Sequence, residues 1–413
     1  MLSVLRLRDF RLLFVSQSLS VLGDALIIVA IGLYVTDLTS NPSDVGAVLT
    51  AYAAPLCALV LFGGVVADRL PRHLVMVVSD TARAVLHGTL AVLIATGAVR
   101  VWHMVVIGVL FGVADAFFRP AYTGLVPQTV PEDEIQQAQA LTGMFREVAT
   151  IASPGLATFL VLGVGGAWAF ALDAATFAVS ALLLLRIRTR DRGTRVADAT
   201  VVEDLREGFH AVRERAWVWV TIAVFSVALL TALAPFFVLG AAVAEEVYGS
   251  EAVYGLTNVF WGVGTVSGAV LGSRWKPRRP MLAGIVATIP WPLSIAVYGL
   301  GPDVVVLYAV MVLAGIGIGL FAVWWETALA VRIPPHLLSR VSAWDWMGSL
   351  LLLPLGYLLA GPVAAAVGAV EVTVVGGLIG AVAMALGVLP HSTRTLGLDD
   401  DTPPVDAPEL QPA

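Results

Sequence analysis

Residues 63–75, GGVVADRLPRHLV, put Asp68, Arg69, Arg72 and His73 into a link between two long apolar runs. The link is too short to be a domain; it is read either as a plain basic anchor at the inner face or, since an anchor needs no acid and no Gly64, as a group acting on neighbouring helix ends. A carboxylate is favoured at a helix N-terminus, arginines pair with acids at neighbouring helix ends, and Pro71 fixes φ and stiffens the turn. A second set of ionisable residues lies inside the apolar runs. Asp24 and Asp115 fall mid-run, and Arg119 follows Asp115 by four residues, on the same helical face. A charge at mid-bilayer costs about 2.5–3.5 kcal/mol on insertion scales and marks a functional group by default. Asp24 has no base near it in sequence, which makes it the first candidate for a proton or a cationic ligand. Asp115 is read either as a second coupling carboxylate or as the permanent partner of Arg119. Glu147, beside Arg146 at the start of the fifth run, offers Arg119 another partner. Asp173 is read as structural. Glu326 and Asp345 stand near the ends of later runs and are assigned with the link. Trp261 and Trp325, with Trp324, Phe236 and Phe237, are aromatic candidates for touching an apolar ligand; packing or anchoring at the membrane interface is the alternative reading.

The elements that must hold these residues follow from composition. The 413-residue chain is 58% hydrophobic and 13% charged, whereas a soluble domain carries roughly 25% charge. A bilayer core takes roughly 20 apolar residues per helix, and twelve such segments are counted, at about 12–35, 45–66, 83–99, 101–125, 140–163, 167–186, 217–240, 252–272, 280–300, 303–328, 341–361 and 367–389. No period-two alternation suggests a barrel, so helices must satisfy the backbone. MLSVLRLRDFRLLF has no small-residue cleavage site and reads as a lead-in to the first span. With that end inside, the inner loops collect most of the arginines and the outer loops hold only Arg100, a positive-inside pattern. The net charge of −6 includes an acidic, proline-rich stretch, DDDTPPVDAPEL, expected to be disordered. Cys57 is the single cysteine, and the six histidines are scattered without the H-E-x-x-H spacing of a metal site. No phosphate-binding loop, metal site or catalytic cluster stands out; GVGTVSG and GIGIG are glycine runs suited to helix packing.

Internal repetition organises the twelve runs. VPEDEIQQAQALTGM (130–144) aligns with IPPHLLSRVSAWDWM (333–347), FGVADAFFRP (111–120) with AGIGIGLFAV (314–323), and GGVVADR (63–69) with GAVLGSR (268–274), at nearly one offset. Such repeats are the mark of transporters that place a site between two halves. The expected architecture is an all-α membrane protein of twelve helices in two pseudo-symmetric six-helix bundles, 1–186 and 216–390. Residues 187–215 form a linker with an amphipathic helix, and 391–413 a disordered tail.

The pattern Gly64, Asp68, Arg69, Arg72, extended by Asp80 and Arg83 in SDTARA, resembles the major facilitator superfamily. Pro71 and His73 stand where that family usually has glycine and a second base. FRLLFVSQSLSVLGDALIIVAI, ADAFFRPAYTGLVPQTVP and FALDAATFAVSALLL are similar to its branch of macrolide-efflux proteins and the enterobactin exporter, among drug:proton antiporters. The resemblance implies that Gly64, Asp68, Arg69, Arg72, Asp80 and Arg83 lock the inner side, with Asp68 beside Arg340 at the start of span eleven and Glu326 and Asp345 nearby. ATIASPGLAT keeps only Pro154 and small residues of the family's antiporter motif in span five. The implied function is proton-coupled export of hydrophobic or amphiphilic small molecules, neutral or cationic, by a monomer in a bacterial cytoplasmic membrane, with both termini inside. No cofactor or nucleic-acid partner is expected. An importer or facilitator on the same scaffold is the alternative, followed by a membrane protein that does not transport.

Overall fold

The computed structural model describes residues 2–131, 134–187 and 201–397. Among them the secondary structure is helical throughout. The first half holds α1 (Arg8–Thr39), α2 (Pro42–Arg69), α3 (Arg72–Ala95), α4 (Val101–Thr129), α5 (Ile135–Thr158) and α6 (Gly166–Leu184), with a π turn, Phe159–Val164, after α5. The linker carries α7 (Val201–Arg213). The second half holds α8 (Ala216–Ala228) and α9 (Ala234–Tyr248) joined by a π turn, then α10 (Ala252–Arg274), α11 (Pro280–Thr288), α12 (Pro290–Leu300), α13 (Val304–Arg332), α14 (Pro335–Leu350), α15 (Leu353–Val367) and α16 (Ala369–Leu386). Ten of the described helical segments are long and apolar enough to cross a membrane; α5 and the Gly- and Ser-rich α10 complete the six-plus-six arrangement. The ninth and eleventh spans are each split in two, the ninth before Pro290.

Two expected boundaries move. The third helix begins at Arg72, not near residue 83, because the apolar face through Val75, Met76, Leu86 and Leu90 continues back to Pro71. The connector after α2 shrinks to Leu70–Pro71, so Asp80 and Arg83 stand inside a membrane helix. The tail also starts later than expected: His391–Thr395 forms a short helix, α17, against α11, and Arg332 Nε donates to the Gly397 carbonyl at 3.1 Å. The acidic stretch beyond it and the linker residues 188–200 lie outside the described residues.

The glycine runs pack helices, as expected. A Cβ on Gly264 or Gly268 of α10 would sit 2.1 Å from the Val312 or Ile316 carbonyl of α13, so these backbones meet with no side chain between them.

The halves meet through α2 with α15, α5 with α10, and α9 with both α1 and α2. The close approaches cluster at the end away from the chain termini. A Cβ on Gly46 would lie 2.2 Å from the Tyr357 carbonyl, one on Gly361 2.4 Å from Ser43 Cα, and Thr50 Oγ1 donates to the Pro354 carbonyl at 3.2 Å. Thr158 of α5 fills the place of a side chain at Gly255 of α10. This far end is therefore sealed.

Gly46→Val is expected to prop the seal apart at a cost of about 1–3 kcal/mol. The readout is labelling of Cys57, the sole cysteine, by an impermeant maleimide added at the far end; labelling should rise over that of the parent protein. Glu251, at the far end just before α10, has its carboxyl pushed up by burial and then by Asp37 and Glu245. Its charged form therefore weighs against the fold above the ordinary glutamate range, and that burden disappears as pH falls and the group protonates. Glu251→Gln should raise the melting temperature in detergent at about pH 7 and leave it unchanged at about pH 4.

Candidate functional site

Helices α3 and α6 run antiparallel and carry matched rungs. On α3, Asp80, Arg83 and His87 share one face at i, i+3 and i+7; on α6, Asp173, Phe177 and Ser180 do the same at i, i+4 and i+7. Ser180 Oγ donates to Asp80 Oδ2 at 2.5 Å, Arg83 lies over the Phe177 ring at 4.3 Å, and His87 Nδ1 pairs with Asp173 Oδ2. All the polar members of these rungs are buried.

Arg83 is the hub. Its Nη2 donates to Asp80 Oδ1 at 2.5 Å, and its Nη1 stands 3.6 Å from Asp24 of α1 and 3.5 Å from Asp115 of α4. Phe118 of α4 covers the guanidinium at 4.0 Å, a cation–π contact that strengthens when water is excluded. Nε and Nη1 have no hydrogen-bond partner, so beyond the bond to Asp80 the guanidinium stands between Asp24 and Asp115 without a hydrogen bond to either. Arg119 Nε donates to Asp115 Oδ2 at 2.8 Å, the pair expected from their four-residue spacing.

The cluster is open on one side. The Asp24 side chain is 38% exposed and that of Arg119 58%, while Arg83 is fully covered. Arg119 also lies within electrostatic reach of Asp24 and of Cys57 on α2. Arg119 thus stands near both α1 and α2 as well as on α4. Four carboxyl groups (Asp24, Asp80, Asp115, Asp173) share two guanidinium groups and one imidazole.

The other expected residues sit as follows. Arg69 is exposed, and the Arg72 guanidinium lies over Gly124 of α4. Gly64 and Asp68 fall in α2 and Glu147 in α5, with side-chain surroundings outside the described residues. Asp80 and Arg83, expected at the inner lock, instead bind the interior of the first half. Arg340 pairs with Glu207 of the linker helix. Asp345 accepts from the Trp325 indole at 2.8 Å and from Ser349 at 3.4 Å, and Glu326 is exposed on α13. Trp325 is buried against Trp217 and Phe321, which removes it from the ligand candidates. Trp261 borders a cavity with room for about one water, together with Asn258, Phe236, Phe237 and Trp291, and its indole N–H has no partner.

Sequence reasoning missed two partners: Asp24, with no base near it in sequence, lies beside Arg83, and Asp173 is paired with His87. The last pair spans 86 positions, and its one signal was an acid in α6 with no counter-charge on its own helix.

Arg83→Met should cost about 3–5 kcal/mol, because it leaves buried carboxylates without their cation. Adding Asp80→Asn should recover part of that loss. Arg119→Gln, at a half-exposed pair, should cost about 1 kcal/mol or less. Thermal unfolding in detergent reads all three; equal losses for Arg83→Met and Arg119→Gln would contradict the assignment of the hub.

Known proteins fit this arrangement. Macrolide efflux protein A of Streptococcus pyogenes is 22% identical over 366 residues, covering 85% of this chain and 88% of that protein. Enterobactin exporter EntS of Citrobacter koseri is 26% identical over 385 residues, covering 90% of each. The crystal structure of a bacterial homolog of the human lysosomal transporter Spinster, titled inward-facing and unoccupied, superposes with a TM-score of 0.71 at 16% identity, over 94% of this chain and 96% of that one. Residues 13–352 match the family pattern of the Major Facilitator Superfamily; with a match of that extent, on a helical fold that splits at the linker, the chain belongs to the Major Facilitator Superfamily of membrane transporters.

Proposed function

We propose that this transporter is a proton-driven exporter of hydrophobic or amphiphilic small molecules, neutral or cationic, working by alternating access. The observation that carries the reading is Asp24: a partly exposed carboxyl group at mid-helix, 3.6 Å from a buried guanidinium that also faces Asp115. Loading or unloading a proton on Asp24 changes the claim of Asp115 on Arg83, and so couples the opening of the space to the packing of α1 against α3 and α4. A ligand cation would compete for the same carboxyl group. The walls suit apolar cargo, since the helices are rich in Ala, Val, Leu and Gly. Efflux proteins stand among the relatives at low identity.

In this reading the bundles 1–186 and 216–390 rock about the linker 187–215, as a monomer in a bacterial cytoplasmic membrane with both termini inside. The sealed far end is then the outer gate, shut in the state described. Gly64, Asp68, Arg69 and Arg72, facing Arg340 and Asp345 with Glu326 nearby, close the inner end in the opposite state. Asp80 and Arg83 act in the coupling cluster rather than in that gate.

The test uses inverted membrane vesicles with ethidium as a lipophilic cation and erythromycin as a macrolide. The parent protein should accumulate at least one of them when the interior is acidified. Asp24→Asn should abolish ΔpH-driven accumulation while exchange of labelled for unlabelled probe persists. Saturable uptake of a sugar or a dianion, with both probes ignored, would sink the proposal.

A further inference from the structure

The seal at the far end encloses a polar group that it does not satisfy. Tyr254 of α10 is wholly buried, in the apolar cluster that holds Leu26, Ala30 and Leu33 of α1 together with Phe236 and Leu239 of α9. Its hydroxyl has no hydrogen-bond partner among the described residues. The neighbouring tyrosines are placed differently. Tyr298 of α12 donates to the Gly240 carbonyl at 2.5 Å, and Tyr248 of α9 donates to the Tyr298 carbonyl at 2.8 Å. The Phe236 ring lies 5.3 Å from both Tyr254 and Tyr298. The two tyrosines share one aromatic neighbour, yet only Tyr298 has its hydroxyl bonded.

The two edges of the Tyr254 ring touch different halves. On one edge, a Cβ at Gly240 of α9 would overlap Cδ2 and Cε2, so the ring takes the place of a side chain within its own half. On the other edge, a Cβ at Gly32 of α1 would lie 3.5 Å from Oη and 3.6 Å from Cε1. That position is also 3.3 Å from the Phe237 carbonyl, so α1 and α9 pass close together here. The ring is thus seated in the second half, with its hydroxyl against the backbone of the first. A phenol hydroxyl can both donate and accept, and burying it with neither bond forfeits the bonds that water would supply. When α1 moves away from α9 and α10, the hydroxyl meets the water entering at the far end and regains them. The group is satisfied in the parted state and unsatisfied in the sealed one. A phenylalanine would fill the same space without that penalty.

We propose that the Tyr254 hydroxyl is a built-in bias against the seal, which keeps the closed far end ready to part again. The inference rests on the alternating-access reading above and adds what sets the balance of its outer gate. The close backbone approaches at Gly46 and Gly361 and the bond from Thr50 to the Pro354 carbonyl favour the sealed form. The unpaired hydroxyl opposes them. This opposition matters because a ligand or a proton shifts two states only by its differential affinity for them. A seal deeper than that difference would trap the transporter with its outer gate shut.

Two measurements on the full-length protein, both made without cargo, test the bias. In the first, Leu38→Cys on α1 and Glu246→Cys on α9, both exposed near the far end, carry spin labels in a Cys57→Ser background. Distances between them are read in nanodiscs, with and without Gly46→Val to supply a parted population. Tyr254→Phe should raise the ratio of sealed to parted molecules about fivefold or more, the scale of one hydroxyl buried without a partner. A ratio that stays the same or falls overturns the proposal. In the second, melting in detergent compares Tyr254→Phe with Tyr298→Phe. Removing the Tyr298 hydroxyl breaks its bond to the Gly240 carbonyl and should lower the melting temperature. Removing the Tyr254 hydroxyl breaks no bond and should leave that temperature unchanged or raise it. A loss as large as that of Tyr298→Phe would show a bonded hydroxyl and end the proposal. Neither readout involves a transported compound, so failure to move ethidium or erythromycin would remove the exporter reading and leave the gate bias standing.

Discussion

The first half is organised around one guanidinium group with no access to solvent. Arg83 is held by Asp80 on its own helix, reached by Asp24 and Asp115 from two others, and covered by Phe118 and Phe177. Four helices converge on one charge, and none of them can shift without altering its balance. Removing a cation from such a site is far more damaging than never having placed it there, so the packing of the half and its ionisation state are one property. The exposed edge of this arrangement is formed by Asp24 and Arg119.

The second half repeats the fold without the charge. Where the third helix of the first half carries His87, the third span of the second carries Trp291 at the corresponding turn, bordering a small cavity with Trp261 and Phe236. The pseudo-symmetric positions are thus divided between ionic and aromatic contents. A transporter built this way concentrates its buried ionic groups in one bundle. The seam between the two bundles is a set of close contacts, backbone against backbone at Gly46 and Gly361 and the Thr158 side chain against Gly255. Such contacts are short-ranged, with little to hold them once a helix has moved by a few tenths of an ångström.

Much of this was legible beforehand. Span number, the two halves, the Asp115–Arg119 pair and the glycine seams are local in sequence, or periodic, and they emerged as expected. The placement of Asp80 and Arg83 was misjudged because a polar SDTAR inside an apolar run looks like the edge of a connector. Only its partners on α1, α4 and α6 show that the helix continues through it. The His87–Asp173 pair was out of reach for the same reason. Each residue alone reads as a satisfied core group, and nothing in either helix names the other. Trp325 was misread in the opposite sense, since an aromatic at a helix end says nothing about whether it faces a ligand or, as here, Trp217 and Asp345.

The ladder between α3 and α6 also bears on how the chain enters the membrane during synthesis. Spans are delivered in order, and α3 must partition into lipid before α4 or α6 exists. Its arginine arrives with a counter-ion three residues away, so the segment carries Asp80 and Arg83 as a near-neutral dipole rather than as two isolated charges. The fourth helix repeats the device with Asp115 and Arg119. Asp173 has no such companion on α6, and it is also the last of the cluster's four acids to be made. By then His87 is in place, and the growing chain can hand its final unmatched carboxyl group to a partner already waiting in the bundle.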